Sequence, residues 1–303
     1  MPLSETRKGE LSIFLSTLLW SLFPVITILT FSGMGPMLSS ALSTLFGALF
    51  FAIVLTVRGR WRELKMRSAW KDILLASVSI GIIFYGLMFL GLAHTTAGNA
   101  SIVSLMEIFF SFLILGVIVR HEHLPFRRIL GAVSMALGAA VILAPKSSGW
   151  HSGDLLVLLA TVFGPIGNFY AQRARRAVSA ECIMFFRSVF SGLFLLCVAM
   201  LLEPIPSGAA FAGSFWFLVI NGILLFGLSK ILWIDGIHHI PITKAISLES
   251  MTPALTLLVA FFALGEPIMK YQILGFVPIV LGIWLLMRGE QETAGVMASG
   301  VSA

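Results

Sequence analysis

Charged residues are scarce in this sequence: they make up 11% of its 303 residues, against about a quarter in an average soluble domain. Cysteine is also rare. Cys182 and Cys197 are the only two, and both lie in apolar runs, which excludes a disulfide framework and a cysteine metal site. Apolar residue types account for 58% of the chain. This composition excludes a soluble enzyme, a disordered protein and a nucleic-acid-binding protein.

Motifs for phosphate and metal chemistry are missing as well. The sequence has no Gly-x-x-x-x-Gly-Lys-Ser/Thr loop, so ATP is not expected to be the direct energy source. It has no His-Glu-x-x-His pair and no paired aspartates suited to holding Mg²⁺. We therefore expect no cofactor, no metal and no enzyme activity. An intramembrane enzyme is the weakest alternative, suggested only by Ser229 beside Lys230.

Long apolar stretches, by contrast, recur along the whole chain. A transmembrane helix needs about 20 predominantly apolar residues, and ten stretches meet this requirement. They are residues 11–30, 36–57, 73–93, 96–119, 127–144, 154–171, 181–202, 213–234, 243–264 and 270–287. The connections between them are too short for an additional soluble domain. The predicted fold class is an all-α integral membrane protein with ten transmembrane helices.

The basic residues are distributed very unevenly between the connections. If the N-terminus is cytoplasmic, fifteen of the twenty basic residues fall in cytoplasmic segments. Only Lys146 and Lys270 fall in loops on the other side of the membrane, and the remaining three lie within spans. This bias sets orientation in membranes, and it accounts for the net charge of +6 without a nucleic-acid partner. We predict a multi-pass protein of the cytoplasmic (inner) membrane with both termini in the cytoplasm. A small-molecule substrate and membrane lipid are the expected partners, and a homodimer is left open.

The two halves of the chain resemble each other at an offset of 144 or 145 residues. The clearest match sets Ile129-Leu130-Gly131-Ala132-Val133 against Ile273-Leu274-Gly275-Phe276-Val277. We divide the chain into a cytoplasmic N-terminus (1–8), a first five-helix repeat (9–144), a second (153–288) and a cytoplasmic tail (289–303). Because five is odd, the second repeat must cross the membrane inverted relative to the first.

Inverted repeats are the architecture of many secondary transporters, whose binding site lies near the membrane midplane between the halves. We therefore expect a secondary active transporter that works by alternating access around a central cavity. A channel or a membrane scaffold is the alternative from another class.

Three stretches carry a resemblance to a known family. They are Leu18-Leu19-Trp20-Ser21, the run from Gly91 to Ala100, and Thr252-Pro253-Ala254 followed by Leu264-Gly265-Glu266-Pro267. Over residues 9–288 the chain resembles the ten-helix EamA-type branch of the drug/metabolite transporter superfamily. The resemblance implies a permease or exporter of small metabolites, amino acids being common cargo. One departure is Glu107-Ile108-Phe109 in span four, where the family often has proline.

Ionisable residues inside spans are costly and are therefore candidates for function. Glu107 lies near the middle of span four, and Ser101, Ser104 and Ser111 share about a third of the helix circumference with it. We expect this polar stripe to face a wet cavity, and the charge state of Glu107 to matter for transport. The alternative is a serine-lined helix contact.

Other candidates for the cavity come from five further spans. Span nine offers Glu249 near Pro253, which removes one backbone donor, and span eight offers Lys230 and Trp233. Lys230 is a candidate partner for a substrate carboxylate or for an acidic residue. Trp20, Tyr85, Asn168 and Tyr170 are candidates for the cavity wall. For Arg187 in span seven we favour ion pairing or snorkelling to the headgroups.

Prolines and glycines suggest two further roles. Pro24 and Pro165 predict interrupted helices at corresponding positions of spans one and six, which is typical of a binding site. Small residues in spans five and ten permit close helix packing: Gly131, Ser134, Gly138, Gly275 and Gly282. At the ends of spans, Glu122 and Glu266 are expected to cap or brace the following turn.

Overall fold

The computed structural model describes residues 4–119, 126–144 and 151–300, and the regular elements in these ranges are all helices. Ten helices in the described ranges are long and apolar enough to cross a membrane. We label them α1–α10: Glu5–Thr30, Pro36–Arg58, Arg67–Leu92, Ala97–Ile114, Phe126–Leu143, Ser152–Ala174, Ala180–Leu202, Gly208–His239, Lys244–Leu264 and Lys270–Arg288. The ten predicted spans are confirmed, and α1, α3, α6 and α8 are longer than expected.

Three helical features lie within or beyond these bounds. A turn at Leu22 separates Glu5–Ser21 from Phe23–Thr30 in α1. The α10 helix continues past the apolar segment to Gly300. A short 3₁₀ helix, Trp61–Lys65, lies between α2 and α3.

Two of the three π-helical segments among the described residues lie at corresponding positions. These two are Ser77–Phe84 in α3 and Ile220–Leu228 in α8, which match at an offset close to 144 residues, and the third is Phe112–Val119. Segments of this kind are rare and occur often at functional sites. They add a structural correspondence to the sequence repeat. The superposition of residues 9–144 on 153–288 after a rotation of about 180° stays a prediction.

One end of the bundle, the basic end, holds most of the ion pairs. Here Arg58 pairs with Glu181, and Arg173 pairs with Asp72 at 3.4 Å. The first repeat begins at this end. The second begins at the opposite end, because an odd number of spans precedes it.

At the opposite end, two carboxylates cap the N-termini of other helices. Glu203 accepts hydrogen bonds from the backbone N–H groups of Met37 and Leu38, both at 2.8 Å, at the start of α2. Glu266 accepts them from Ala97 at 3.0 Å and Gly98 at 3.3 Å, at the start of α4.

These caps correct one sequence interpretation. Glu266 stabilises the N-terminus of a helix distant in sequence instead of bracing its own following turn, because the free N–H groups there attract a carboxylate. Glu122, for which the same role was expected, lies outside the described residues.

Helices α5 and α10 pack with their backbones in near contact, as the small residues predicted. Gly131 and Gly138 of α5 face Gly275 and Gly282 of α10. A Cβ atom added to Gly138 would lie 2.5 Å from the carbonyl oxygen of Gly275. Ser134 donates a hydrogen bond to the carbonyl of Pro278 at 2.7 Å. The expected scaffold role of these residues is confirmed.

We expect Gly138→Ala to destabilise the protein by about 1–3 kcal/mol, because the new methyl group must push two backbones apart. The measurement is the midpoint of thermal unfolding in detergent. Gly213→Ala is the matched control, since no atom lies within 4 Å of a Cβ at that position. An equal effect of the two substitutions would show that the α5–α10 contact tolerates separation.

Candidate functional site

A central cavity of about 500 Å³ lies between the two repeats. Its wall takes residues from α1, α3 and α4 of the first repeat and from α6, α7, α8 and α9 of the second. It extends from the middle of the bundle to the basic end, where Arg175, Ala180 and Ile237 line it. A cavity between repeats, with polar groups from both, is the arrangement that the sequence predicted.

The structure brings eight of the nine candidate site residues together in the cavity wall. These eight are Trp20, Tyr85, Ser104, Glu107, Asn168, Lys230, Trp233 and Glu249. Three of them, Asn168, Trp233 and Glu249, lie five or six residues from the basic-end termini of their helices, and the other five lie farther from those termini.

Tyr170 is the candidate that the structure does not bring to the cavity. In α6 the cavity is lined by Gly164, Asn168 and Gln172, which follow one another at intervals of four residues. Tyr170, two residues beyond Asn168, is about 200° around the helix from it. Its ring instead contacts Phe169 and the guanidinium of Arg173.

Two corresponding helices, α4 and α9, are broken beside the cavity. In α4 a turn at Leu105 separates Ala97–Ser104 from Met106–Ser111. In α9 two residues, Ser250 and Met251, separate the helix Ile242–Glu249 from the helix Thr252–Leu264. Glu107 and Glu249 each lie within two residues of a break, so the breaks set the carboxylates at the cavity wall.

Serine hydroxyls make the same local hydrogen bond beside both breaks. Ser104 donates to the carbonyl of Ser101 at 2.7 Å in α4, and Ser250 donates to that of Ser247 at 2.8 Å in α9. A hydroxyl that bonds a carbonyl of its own helix competes with the backbone ladder and favours a bend. The α4 break has no proline, whereas Pro253 follows the break in α9.

The expected pair of interrupted helices, α1 and α6, is found only in part. Helix α1 breaks at Leu22, but α6 continues through Pro165 from Ser152 to Ala174. Proline removes one hydrogen-bond donor, and the remaining backbone bonds are enough to keep α6 helical in the absence of water. The corresponding broken pair is therefore α4 and α9.

A chain of hydroxyl groups joins three of these helices at their breaks. Thr256 of α9 donates to the carbonyl of Ser21 in α1 at 2.8 Å, and Ser101 of α4 donates to the Thr256 hydroxyl at 3.1 Å. The three side chains are buried, with Thr256 and Ser21 fully so. Polar groups that would face hydrocarbon are thus satisfied within the protein.

The cavity holds charges of both signs. The amide of Asn168 donates to Glu107 Oε1 at 3.1 Å, which fixes this carboxylate between α4 and α6. The Lys230 ammonium lies 3.6 Å from the centre of the Trp20 ring, a cation–π contact. The carboxylates of Glu249 and Glu107 are close enough to interact electrostatically with Lys230. An acid and a base on facing walls can bind a solute that carries both charges.

Arg187 is a cavity residue that the sequence interpretation placed elsewhere. It was expected to pair or to snorkel, because it lies about two turns from the end of α7. In the structure it lines the cavity with 8% of its surface exposed, and no carboxylate of a described residue lies within 4 Å. Periodicity along α7 alone cannot show which neighbouring helix this face meets.

Towards the opposite end, aromatic rings bound the cavity. Trp20 stacks on Phe23 with ring centres 4.8 Å apart, and Tyr85 contacts Phe226 at 4.7 Å. Phe23 in turn meets Phe89 at 5.9 Å. These rings fill the middle of the bundle between the cavity and the opposite end.

Beyond the rings, a buried polar network connects the helices of the opposite end. Asp154 of α6, 1% exposed, accepts hydrogen bonds from Thr95 and, at 3.0 Å, from the amide of Asn99. Gln272 of α10 donates to Asn99 at 2.9 Å. Together with the Glu266 cap, these bonds tie α4, α6, α9 and α10 together and close this end.

Ten membrane-crossing helices around a cavity of mixed charge, extended towards one end and closed at the other, define a membrane transport protein. The chain belongs to the EamA-like transporter family, whose model matches residues 7–144 and again residues 151–288.

Curated relatives agree with this family. The chain is 23% identical over 283 residues to the uncharacterized transporter YoaV of Bacillus subtilis, covering 92% of this chain and 96% of the relative. It is 24% identical to an uncharacterized transporter of Methanothermobacter thermautotrophicus, covering 92% and 85% of the two chains.

A solved crystal structure has the same fold. It matches with a TM-score of 0.65 over 97% of this chain and 99% of its own, at 19% identity. The protein is therefore a multi-pass membrane protein of a transporter family.

We expect a cysteine at Ser104 to react with a membrane-impermeant thiol reagent supplied from the basic-end side, because the cavity extends to that end. Cys182 and Cys197 are replaced first, and labelling is read by mass shift. A cysteine at Ser43, which is fully buried away from the cavity, is the control that stays unlabelled. Labelling of Ser104→Cys only from the opposite side would contradict the described closure.

Proposed function

We propose that this protein is a secondary active transporter that moves small metabolites, in particular amino acids, by alternating access around the central cavity. The observation that carries the proposal is the cavity itself: it lies between the two repeats and combines Glu107, Glu249 and Lys230 with aromatic walls. Cavities at a repeat interface, flanked by discontinuous helices, are where secondary transporters bind solutes.

The barrier at the opposite end supports a carrier over a channel. The stacked rings of Trp20 and Phe23, and the network around Asp154, stand between the cavity and that end. Flux through such a protein requires the barrier to move from one end to the other. The breaks in α1, α4 and α9 supply points where helix segments can tilt.

The charges of the cavity support an amphoteric cargo. Carboxylates at Glu107 and Glu249 suit an ammonium group, and Lys230 or a neighbouring base suits a carboxylate. The rings of Trp20 and Trp233 offer apolar area to a side chain. Amino acids carry these three features in one small molecule.

The proposal includes location and orientation. We place the protein in the cytoplasmic membrane with its basic end and both termini in the cytoplasm, since basic connections are retained on that side. In this orientation the cavity is accessible to solutes from the cytoplasm, and the Asp154 network faces outward.

The orientation predicts which introduced cysteines an impermeant reagent reaches in whole cells. In a chain without Cys182 and Cys197, a cysteine at exposed Ser207 should react, and one at exposed Ser68 should react only after permeabilisation. The measurement is blocking of a later biotin-maleimide label. The reverse pattern would overturn the proposed topology. Ser147, a further outside position by sequence, lies outside the described residues.

Transport itself is tested in proteoliposomes with a panel of labelled amino acids, with and without a pH gradient. Saturable uptake and counterflow are expected of a carrier. Unsaturable flux would indicate a channel, and formation of a product would indicate an enzyme.

For mechanism, we expect Glu107→Gln to retain counterflow but to lose accumulation driven by a pH gradient. Glutamine keeps the volume and the contact with Asn168 but has no proton to exchange. Glu10→Gln, whose half-exposed carboxylate pairs with Lys244 near the start of α1 and away from the cavity wall, is the matched control. Loss of both activities would assign Glu107 to binding a substrate ammonium group, and unchanged behaviour would remove it from the mechanism.

A further inference from the structure

Arg187 is a nearly buried positive charge that pairs with no carboxylate among the described residues. It lies in α7, is 8% exposed and lines the cavity. Among the described residues, none forms an ion pair with it. Moving an unpaired guanidinium from water into a membrane-embedded protein is costly. A charge kept in such a place is a candidate for binding something that the cavity receives.

The packing of α7 on α3 directs this side chain to the cavity. Gly81 lies in the π-helical segment Ser77–Phe84, and a Cβ there would lie 2.5 Å from Ser191 Cβ and 3.4 Å from Arg187 Cγ. The missing side chain therefore lets α7 approach α3 closely at Ser191, which places the Arg187 stem against α3. The Ser191 hydroxyl donates a hydrogen bond to the backbone carbonyl of Arg187 at 2.6 Å. The packing thus holds the stem of the Arg187 side chain and leaves its guanidinium group at the cavity wall.

The other cavity charges are already engaged with one another. Lys230 lies over the Trp20 ring and interacts electrostatically with Glu249 and Glu107. Glu107 also accepts a hydrogen bond from Asn168. Arg187 interacts electrostatically with Tyr85 and with Lys230, and the latter contact is repulsive. Positive charge without a partner therefore concentrates at Arg187.

We propose that Arg187 binds the carboxylate of the transported solute, and that a free carboxylate is the feature by which the cavity selects its cargo. The proposal rests on the proposed transport function for its biological role. A guanidinium presents a planar fork of N–H donors that matches the two oxygens of a carboxylate. The solute's ammonium group then points to Glu107 and Glu249, on the acidic side of the cavity.

Entry of such a solute fits the charges along the cavity. Arg175 lines the cavity at the basic end, and Arg187 lines it deeper in the bundle. A carboxylate arriving from the basic end meets the first guanidinium and then the second. Lys230 keeps its place over Trp20 and balances the two carboxylates of the cavity.

The test compares amino acids with their amides, which keep the side chain and the ammonium but replace the carboxylate with a neutral group. The probes are L-phenylalanine, L-leucine and L-lysine, each with its amide, titrated against purified full-length protein in detergent. Binding is read from the rise in the midpoint of thermal unfolding. The variants are Arg187→Gln, Arg187→Lys and Lys230→Gln, with exposed Arg288→Gln as the matched control.

We expect the wild-type protein to bind at least one acid more tightly than its amide. Arg187→Gln should weaken binding of that acid about 10- to 100-fold, the loss of a charged hydrogen-bonded pair, and should leave amide binding unchanged. The affinity of Arg187→Lys for the acid should lie between those of the wild type and Arg187→Gln, because lysine keeps the positive charge but lacks the planar guanidinium. Arg288→Gln, which lies outside the cavity wall, should leave acid binding and the preference for the acid unchanged.

Several results would overturn the proposal. They are equal wild-type binding of acids and amides, no binding of any acid, an unchanged preference in Arg187→Gln, or an equal loss of acid and amide binding in that variant. Loss of the preference in Lys230→Gln alone would assign the carboxylate to Lys230 instead.

Wild-type counterflow of the same probes separates this proposal from the proposed function. Acid binding that depends on Arg187 without counterflow would refute transport and leave the binding site standing. Counterflow that accepts amides as well as acids would support transport and refute the role of Arg187.

Discussion

The structure depends on satisfying backbone polar groups where helices break in the middle of a membrane-spanning bundle. Lipid offers no hydrogen bonds, so a carbonyl freed at a break must find a partner inside the protein. Here side-chain hydroxyls supply it. Thr256 bonds the carbonyl of Ser21, and Ser101 bonds Thr256, so that the breaks of α1, α4 and α9 meet at one buried point. Ser104 and Ser250 donate hydrogen bonds to carbonyl groups of their own helices beside the breaks of α4 and α9.

These breaks explain why charged side chains are found so deep in an apolar bundle. A continuous helix packs its neighbours closely along its whole length, whereas a broken one leaves space beside the break. Glu107 and Glu249 lie next to the breaks of α4 and α9, where the cavity is. Their cost of burial is reduced by Asn168 and Lys230. For Arg187 the part of the chain that the structure describes supplies no paired carboxylate, and an anionic ligand would offset its cost of burial.

The two ends of the bundle are held by different chemistry, and this difference produces a cavity that extends to one side. At the opposite end, Glu203 and Glu266 cap helices far away in sequence, and buried Asp154 accepts hydrogen bonds from Thr95 and Asn99. At the basic end, ion pairs between half-exposed arginines and less exposed carboxylates, such as Arg173–Asp72, join the helices.

The sequence by itself determined the ten spans, the two repeats and most of the cavity wall, because apolar length and helical periodicity are local properties that lipid enforces strongly. Periodicity placed Ser104 on the same face as Glu107, and Lys230 on the same face as Trp233. It did not show that Tyr170 turns away, that α6 continues through Pro165, or that Glu266 caps α4. Only the tertiary structure decided these points and the direction of Arg187, since they depend on which helix lies opposite, and partners such as Ser21 and Thr256 are far apart in the chain.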